Sequence, residues 1–345
     1  MKDAIIVGGG ISGCVLAWTW YLQGKEFVWY LDDKKGSSHV AAGVYNPVVL
    51  KRFSPVWQAA DQLNVLQSFY PQIEKLLGIK VSHPIEIWRR LHDEAEIKTW
   101  KRKSQREDLN AFMSNDVFAG EMAGVFAPYG FGKVLQSGWL DVNVFIEKSL
   151  LFFTEHQKVR LEELMPGKLQ YDVNSVSYNG AVAHSIIWAQ GYAAINNPET
   201  SQLPMQGNKG ELLLIRCTGL KLDSIIKSSV FLMPYTDDLF WVGATYDRDD
   251  LSKQTTTHAR EWLEARLQQF LKLPYEVVEH KTGIRPTTVD RRPFLGSLQQ
   301  QQSYVFNGMG SRASLVAPWA AQLLFNHIYN HESLPLEMDI ARFNN

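Results

Sequence analysis

Apolar and polar positions fall along this chain in blocks that read as strand, helix and strand from the first residues onward. Ala4 to Val7 is a continuous apolar run, the pattern of a strand covered on both faces. Cys14 to Leu22, packed with Val, Leu, Ala and aromatics, reads as a helix that ends at Gly24. Phe27 to Leu31 is a second apolar run, closed by Asp32 and Asp33. Trp57, Leu63, Leu66, Phe69, Ile73 and Leu76 then recur at helical spacing and predict a helix from about Pro55 to Leu77. Val81 to Leu91 reads as one strand. Asp93 to Arg106 carries both signs of charge and predicts a solvated helix face rather than a nucleic-acid patch. Gly120 to Gly138, rich in Gly and aromatics, predicts a hairpin or lid, and Asp141 to Phe153 returns to a helical pattern.

In the second half, Val173 to Val176, Tyr178 and Ala181 to Ala183 flank Asn179-Gly180, the signal of a tight hairpin. His184 to Gly191 reads as a buried strand ending in glycine, and Lys209 to Arg216 as another strand. Val230 to Pro234 and Leu239 to Thr245 predict a hairpin around Asp237-Asp238. Thr256 to Leu271 is an amphipathic helix with Trp262, Leu263, Leu267 and Phe270 inward. Lys281 to Asp290 reads as a loop. Short strands are expected at Pro293 to Leu295 and Tyr304 to Phe306, before a final helix from about Ala313 to Tyr329. Antiparallel material thus interrupts pieces of a doubly wound sheet. The expected fold class is α/β: a Rossmann-like nucleotide-binding domain from residues 1–54, 140–206 and 281–345, with an inserted antiparallel β-sheet (α+β) substrate domain from 55–139 and 207–280.

The glycines between the first strand and helix sharpen this. Gly8-x-Gly10-x-x-Gly13 joins them, with Ile11 and Ser12 at the helix start. Gly8 allows the tight turn, Gly10 lets a pyrophosphate approach the backbone, and Gly13 lets helix and strand pack closely. A diphosphate would rest on the free N–H groups and positive dipole end of the helix. Asp32 or Asp33 is placed to accept hydrogen bonds from a ribose. Strand, glycines, helix, strand and acid in this order predict a bound dinucleotide. Small residues from Ser37 to Gly43, with Ser38, Ala41 and Ala42 among them, suit a backbone that meets a flat ligand.

Composition narrows the class. The chain has 345 residues, 45% hydrophobic and 21% charged, with a net charge of −1, so it has no general attraction for nucleic acid or membrane. Only Met1 to Asp3 precede the first strand, no apolar stretch is long enough to span a bilayer, and a cytoplasmic location is expected. Cys14 and Cys217 form neither a disulfide framework nor a redox pair. His327 and His331 lack the intervening Glu of a metalloprotease helix, and G-x-S-x-G is absent, so no metal is expected.

Two features in the last third bear on chemistry. Gly308-x-Gly310-Ser311-Arg312 leads into the final helix at Ala313, so a second helix N-terminus could face the ligand and hold negative charge. Arg285 lies between Ile284 and Pro286, in a segment too apolar for a solvated charge. Its donor fork suits a carboxylate, either a substrate acid or an internal one such as Asp290.

These motifs, in this order, resemble the FAD-dependent D-amino-acid oxidase superfamily, which includes glycine and sarcosine oxidases. The resemblance rests on the N-terminal glycines, Ser37 to Gly43, Trp188-Ala-Gln-Gly191, Lys209-Gly-Glu211, Thr282-Gly-Ile-Arg285-Pro and Gly308 to Arg312. It implies FAD as cofactor, held by Gly8, Gly10, Ile11, Ser12, Gly13, Asp32, Asp33, Ser38, Ala41, Ala42, Gly43, Val176, Gly191, Gly308, Gly310, Ser311, Arg312 and Ala313. It also implies that Arg285 anchors a substrate carboxylate. Phe231 stands where those oxidases carry a tyrosine, and Tyr246 falls at another pocket position. Gly283 stands near where sarcosine oxidases attach flavin through cysteine, which implies non-covalent FAD. Gly43-Val-Tyr-Asn-Pro47 and Gly310 to Pro318 are also similar to the oxidase half of the bifunctional enzyme that processes carboxymethylaminomethyl-uridine in tRNA.

The expected function is oxidation of the C–N bond of an amino acid or N-substituted glycine, by hydride transfer to flavin N5 and without a side-chain base. The expected partner is that small amine, with tRNA as a lesser alternative. An NAD-dependent dehydrogenase and a non-catalytic FAD-binding protein are the remaining rivals.

Overall fold

β1 (Lys2–Val7) is the centre of an eight-stranded sheet, in a computed structural model that describes residues 1–118, 124–300 and 302–343. It pairs in parallel with β2 (Phe27–Leu31) on one side and with the strand Ala181–Trp188 on the other. Val159–Leu161 extends the parallel run beyond β2, and Ser303–Asn307 joins Ala181–Trp188 in parallel through Trp188. Ala4 to Val7 and all of β2 are buried, as a strand covered on both faces requires. The hairpin at Asn179-Gly180 forms as expected, both residues at positive φ.

Helix α1 (Ile11–Leu22) covers one face of this sheet and is apolar on nearly all sides because it is itself covered. Trp18 packs on Phe152 and Phe153 of α4 (Val142–Glu155) and donates its indole N–H to Ser149 Oγ at 2.6 Å. Trp20 meets Phe325 and Tyr329 of α6 (Ala313–Asn330). Tyr70 of α2 (Ala59–Leu77) donates to the Ser314 carbonyl at 2.9 Å, tying α2 to the start of α6.

A second eight-stranded sheet runs in the order Glu276–Thr288, Met205–Arg216, Leu239–Gly243, Phe231–Thr236, Ile225–Lys227, Ile87–Arg90, Phe131–Val134, Met113–Phe118. All pairings are antiparallel except that between Ile225–Lys227 and Ile87–Arg90. Its residues alternate between two cores. Leu212, Leu214, Ile225 and Trp241 face the helices, whereas Leu213, Ile215, Ile226 and Val242 pack under Leu263, Leu267 and Phe270, at and beyond α5 (Thr257–Gln268). The charged helix α3 (Glu94–Ser104) starts at Asp93, which caps the Glu96 amide, and carries Trp100 as its buried anchor.

Three expectations need correction. Val81 to Leu91 is not one strand: Ser82–Pro84 and Ile87–Arg90 belong to different sheets, because Pro84 cannot continue a ladder. Lys281 to Asp290 is not a loop, since Arg285 sits inside the thirteen-residue strand Glu276–Thr288. Polar residues and glycine hide that strand, whose order comes from its long pairing with Met205–Arg216. Of the expected Gly120 to Gly138 hairpin, Gly120 to Ala123 lie outside the described residues, and the remainder includes the strands Phe131–Val134 and Gly138–Leu140. Among the described residues, no helix is long and apolar enough to cross a membrane.

Candidate active site

The parallel strands of the first sheet deliver their C-terminal ends to one cleft of about 1550 Å³. Gly8 follows β1, Asp32 follows β2, Ala189 to Gly191 follow Ala181–Trp188, and Met309 follows Ser303–Asn307; all line it. This is where a doubly wound sheet presents a ligand. The second sheet forms the opposite wall through Gly210, Leu212, Lys227, Phe231 and the segment Lys281 to Pro286.

The glycine turn is sterically enforced. Gly8 has φ +130°, and a Cβ there would lie 2.3 Å from the Ala189 carbonyl oxygen. A Cβ on Gly13 would lie 2.0 Å from the Gly8 carbonyl oxygen, so the turn and α1 meet without space for a methyl group. Gly8, Gly10, Ile11 and Ser12 line the cleft, whereas Gly13 supports them from behind. The Gly8 carbonyl accepts from Trp29 Nε1 at 2.8 Å, which fixes the turn to β2. Ser38 Oγ accepts from the Ile11 amide at 3.1 Å and brings the small-residue loop onto the helix start. Helix α1 has no side-chain cap, so other amides of its first turn remain for a ligand.

Asp32 lines the cleft; Asp33 does not, because its side chain turns to solvent. Ser38, Ala41, Ala42 and Gly43 line it as expected. Val176 does not. It belongs to the antiparallel strand Ser175–Tyr178 and is buried in the apolar layer with Tyr178 and Ile186. At the far end Gly191, Gly310, Ser311, Arg312 and Ala313 line the cleft. Gly308 does not; its φ of +76° turns the chain beside Thr288, and its amide donates to Asn307 Oδ1 at 2.8 Å. Asn307 Nδ2 in turn donates to the Gly191 carbonyl at 2.9 Å, joining two cleft segments. Helix α6 also starts without a side-chain cap.

Arg285 is the best-defined charge in the cleft. Its Nη1 donates to Asn208 Oδ1 (3.0 Å) and to the carbonyls of Thr245 (3.2 Å) and Lys209 (3.3 Å). Its guanidinium lies over the Tyr246 ring, 4.4 Å from the centroid. A Cβ on Gly210 would sit 2.0 Å from Nη2, so only glycine leaves room for the fork. Burial lowers the pKa of Arg285, opposed by Tyr246. Among the described residues Arg285 has no acid partner, and Nε and Nη2 make no hydrogen bond within the chain. Asp290, the internal alternative, is taken by Arg342 at 2.8 Å. Tyr246 braces the guanidinium with its ring, and Phe231 supplies an apolar wall.

Under this wall lies a polar network that sequence reasoning missed. Buried Lys209 meets Asp250 and Glu211, and Glu211 accepts from the Thr256 amide at 2.8 Å and its hydroxyl at 3.0 Å. His39 Nδ1 and Thr282 Oγ1 also went unnoticed; both belong to cleft-lining residues and are buried without a hydrogen-bond partner. No sequence pattern marks an unpartnered atom. A buried orphan of this kind costs about 1–3 kcal/mol unless a ligand satisfies it.

The residues present fit FAD. A long cleft joins a glycine-rich helix start and the acid Asp32 to a second uncapped helix start, with unpartnered polar atoms on its wall. Comparison with known proteins agrees. Residues 3–326 match the FAD dependent oxidoreductase (DAO) family. The glycine oxidase of Pseudomonas putida is 25% identical over 352 residues, spanning 93% of each chain. The tRNA 5-methylaminomethyl-2-thiouridine biosynthesis bifunctional protein of Haemophilus ducreyi is 22% identical over 98% of this chain, which spans 57% of that protein. The crystal structure of glycine oxidase from Geobacillus kaustophilus superposes with a TM-score of 0.80 at 17% identity, covering 97% of this chain and 96% of that one. The chain belongs to the FAD-dependent oxidoreductase family that includes glycine oxidase, and it is an FAD-dependent enzyme.

Proposed function

We propose that the enzyme oxidises the C–N bond beside the carboxylate of an amino acid or N-substituted glycine, with FAD held non-covalently. The observation that carries this reading is Arg285, a largely buried cation with two free donor positions and no acid of its own, in the cleft that fits FAD. A carboxylate is the planar acceptor that matches such a fork. FAD, when bound, supplies a two-electron acceptor.

In this reading the amides of Gly10 and Ser12 and the start of α1 hold the diphosphate, and Asp32 holds the ribose. Ser38, Ala41 to Gly43, Gly191 and Gly310 to Ala313 hold the ring end. Arg285 fixes the substrate carboxylate and so orients the adjoining C–N bond, Tyr246 braces Arg285, and Phe231 excludes water. The burial that lowers the pKa of Arg285 also favours the neutral form of a substrate amine, which the reaction needs. The non-covalent assignment is supported by the two cysteines: Cys14 and Cys217 are both buried, and neither lines the cleft. We assign residues 1–54, 140–206 and 281–345 to the FAD-binding unit and 55–139 and 207–280 to the substrate unit. The strands Met205–Arg216 and Glu276–Thr288 run across two of these boundaries.

Arg285→Leu tests the reading. Turnover of the best amino-acid substrate should fall about 100-fold or more, with FAD content retained; an unchanged rate refutes the carboxylate anchor. A second reading, oxidation of a carboxymethylaminomethyl group on tRNA, is favoured by the likeness to the Haemophilus ducreyi protein. Tight RNA binding that weakens steeply with salt would support it.

A further inference from the structure

The acids that line the cleft all lie at its nucleotide end, where the cations Lys34 and Lys35 also stand and Lys34 pairs with Glu163. The acids Asp32, Glu162 and Glu163 follow β2 and its neighbour Val159–Leu161, at the nucleotide end. Away from that end the charged lining residues are Lys51, Lys227, Lys253, Lys281, Arg285 and Arg312, all cations. Among the described residues only Lys281 of this set has an acid within ion-pair distance, Glu279 at 2.6 Å. The chain as a whole carries a net charge of −1, so this concentration of one sign is local. A cleft lined by one sign attracts and orients the opposite one. One carboxylate on Arg285 leaves most of that charge unanswered.

Lys227 is half-buried, as is Lys281, whereas Lys51 and Lys253 are exposed. Lys227 belongs to the short strand Ile225–Lys227 and stands directly across from Phe231. Phe231 stands across from Gly243, Gly243 from Leu212, and Leu212 from Lys281. Residues opposed in this way project on one face of a sheet, so Lys227 shares the cleft wall with Phe231. Its Nζ donates to the Ser229 carbonyl at 3.1 Å, which leaves two of its three protons without an acceptor among the described residues. Burial and the neighbouring Arg89 push its pKa down to about 8, the mark of an ammonium that lacks a counter-charge.

Resting on the reading that Arg285 anchors the reacting carboxylate, we infer that Lys227 binds a second anionic group, a carboxylate at the far end of the same small substrate. The strands of Arg285 and Lys227 are four steps apart in the sheet, roughly 19 Å at a spacing of about 4.8 Å per step, and Arg285 lies four residues along its strand from Lys281, the residue level with Lys227, which adds about 13 Å lengthwise. Two long side chains close part of that gap. The second charge therefore sits on an extended substituent, not on a carbon next to the first. A half-buried lysine beside Phe231 suits the tail of a small molecule, whereas a polynucleotide would meet the exposed Lys51 and Lys253.

The test uses holoenzyme and a series of N-(ω-carboxyalkyl)glycines of increasing chain length, each matched to the N-alkylglycine of equal length. Turnover and ligand-induced perturbation of the flavin absorbance are both read. At one chain length the diacid should be preferred over its alkyl partner by about tenfold or more in kcat/KM and in affinity. Lys227→Met should bring that ratio close to one, and Lys227→Arg should restore it. Equal use of diacid and alkyl series by the wild type overturns the inference, as does a ratio that Lys227→Met leaves intact. That comparison stands on the wild type alone if the Met variant does not fold. Competition by a short oligonucleotide but by no diacid also overturns it. Lys227-dependent diacid binding without turnover would uphold the subsite and reject the oxidation reading.

Discussion

Asn208 and Arg285 stand directly opposite each other in neighbouring strands, and Asn208 Oδ1 accepts from Arg285 Nη1 at 3.0 Å. This contact fixes one side of the guanidinium and leaves the other free for a ligand. A hydrogen bond to a charged group contributes about 1.5–3 kcal/mol. Asn208→Ala should therefore raise KM for the substrate about tenfold or more and change kcat less, because Asn208 positions Arg285 without touching substrate. Steady-state kinetics decide; an unchanged KM rejects the positioning role.

Gly13→Ala places a methyl group 2.0 Å from the Gly8 carbonyl oxygen, which is backbone and cannot swing aside. Overpacking of this kind costs about 1–3 kcal/mol, and here it also displaces the turn that would hold the diphosphate. The purified variant should carry less flavin per polypeptide and melt a few degrees lower than the wild type, as absorbance ratio and calorimetry would show. Full flavin content at wild-type Tm would count against the turn as the diphosphate site.

Thr282 supplies a prediction in which stability and affinity move oppositely. Its Oγ1 is buried without a partner on the cleft wall. Thr282→Val removes that orphan while keeping the shape, so the apoprotein should gain stability, within about 1–3 kcal/mol. If FAD is what satisfies the hydroxyl, the same variant should bind FAD more weakly. Thermal melts of apoprotein and titration with FAD separate the two effects; unchanged FAD affinity would show that the hydroxyl does not meet the cofactor.

Lys227 gives a pH dependence with a definite sign. Its folded-state pKa of about 8, set by burial and then by Arg89, lies below that of an unfolded lysine. Between those values the unfolded chain binds the extra proton, so stability rises with pH there. Below about pH 8 the ammonium is charged in both states and the penalty for burying it is fully present. Arg89 is itself paired to Glu96 at 2.6 Å. The stability difference between wild type and Lys227→Met should shift in favour of the wild type as pH rises from about 8 to about 10. A difference independent of pH would show that Lys227 is solvated.

Much of this arrangement was legible in the sequence. The burial of β1 and β2, the glycine contacts and the hairpin at Asn179-Gly180 follow from local rules of sterics and periodicity, and they formed as expected. Asp32 could not be told from Asp33, because which of two adjacent side chains turns inward depends on how the strand ends. Val176 falls outside the cleft lining, because an apolar residue near a nucleotide site gives no sign of which sheet face it joins. Arg285 stands out in the sequence, yet its strand does not, since Lys281 to Thr288 lacks an alternating apolar pattern and is ordered by pairing with residues some 77 positions away. Lys227, Asn208 and the orphan atoms of His39 and Thr282 gain their meaning only from neighbours distant in the chain.

The central claim is that Arg285 and bound FAD together oxidise an amine beside its carboxylate. Anaerobic mixing of the holoenzyme with glycine, sarcosine, proline, D-amino acids and N-(ω-carboxyalkyl)glycines tests it most directly, read as loss of the flavin band near ~450 nm. The account predicts that at least one of these bleaches the wild type and that Arg285→Leu, equally yellow, bleaches about 100-fold more slowly or not at all. Bleaching of both proteins at the same rate, or of neither by any amine, would contradict it.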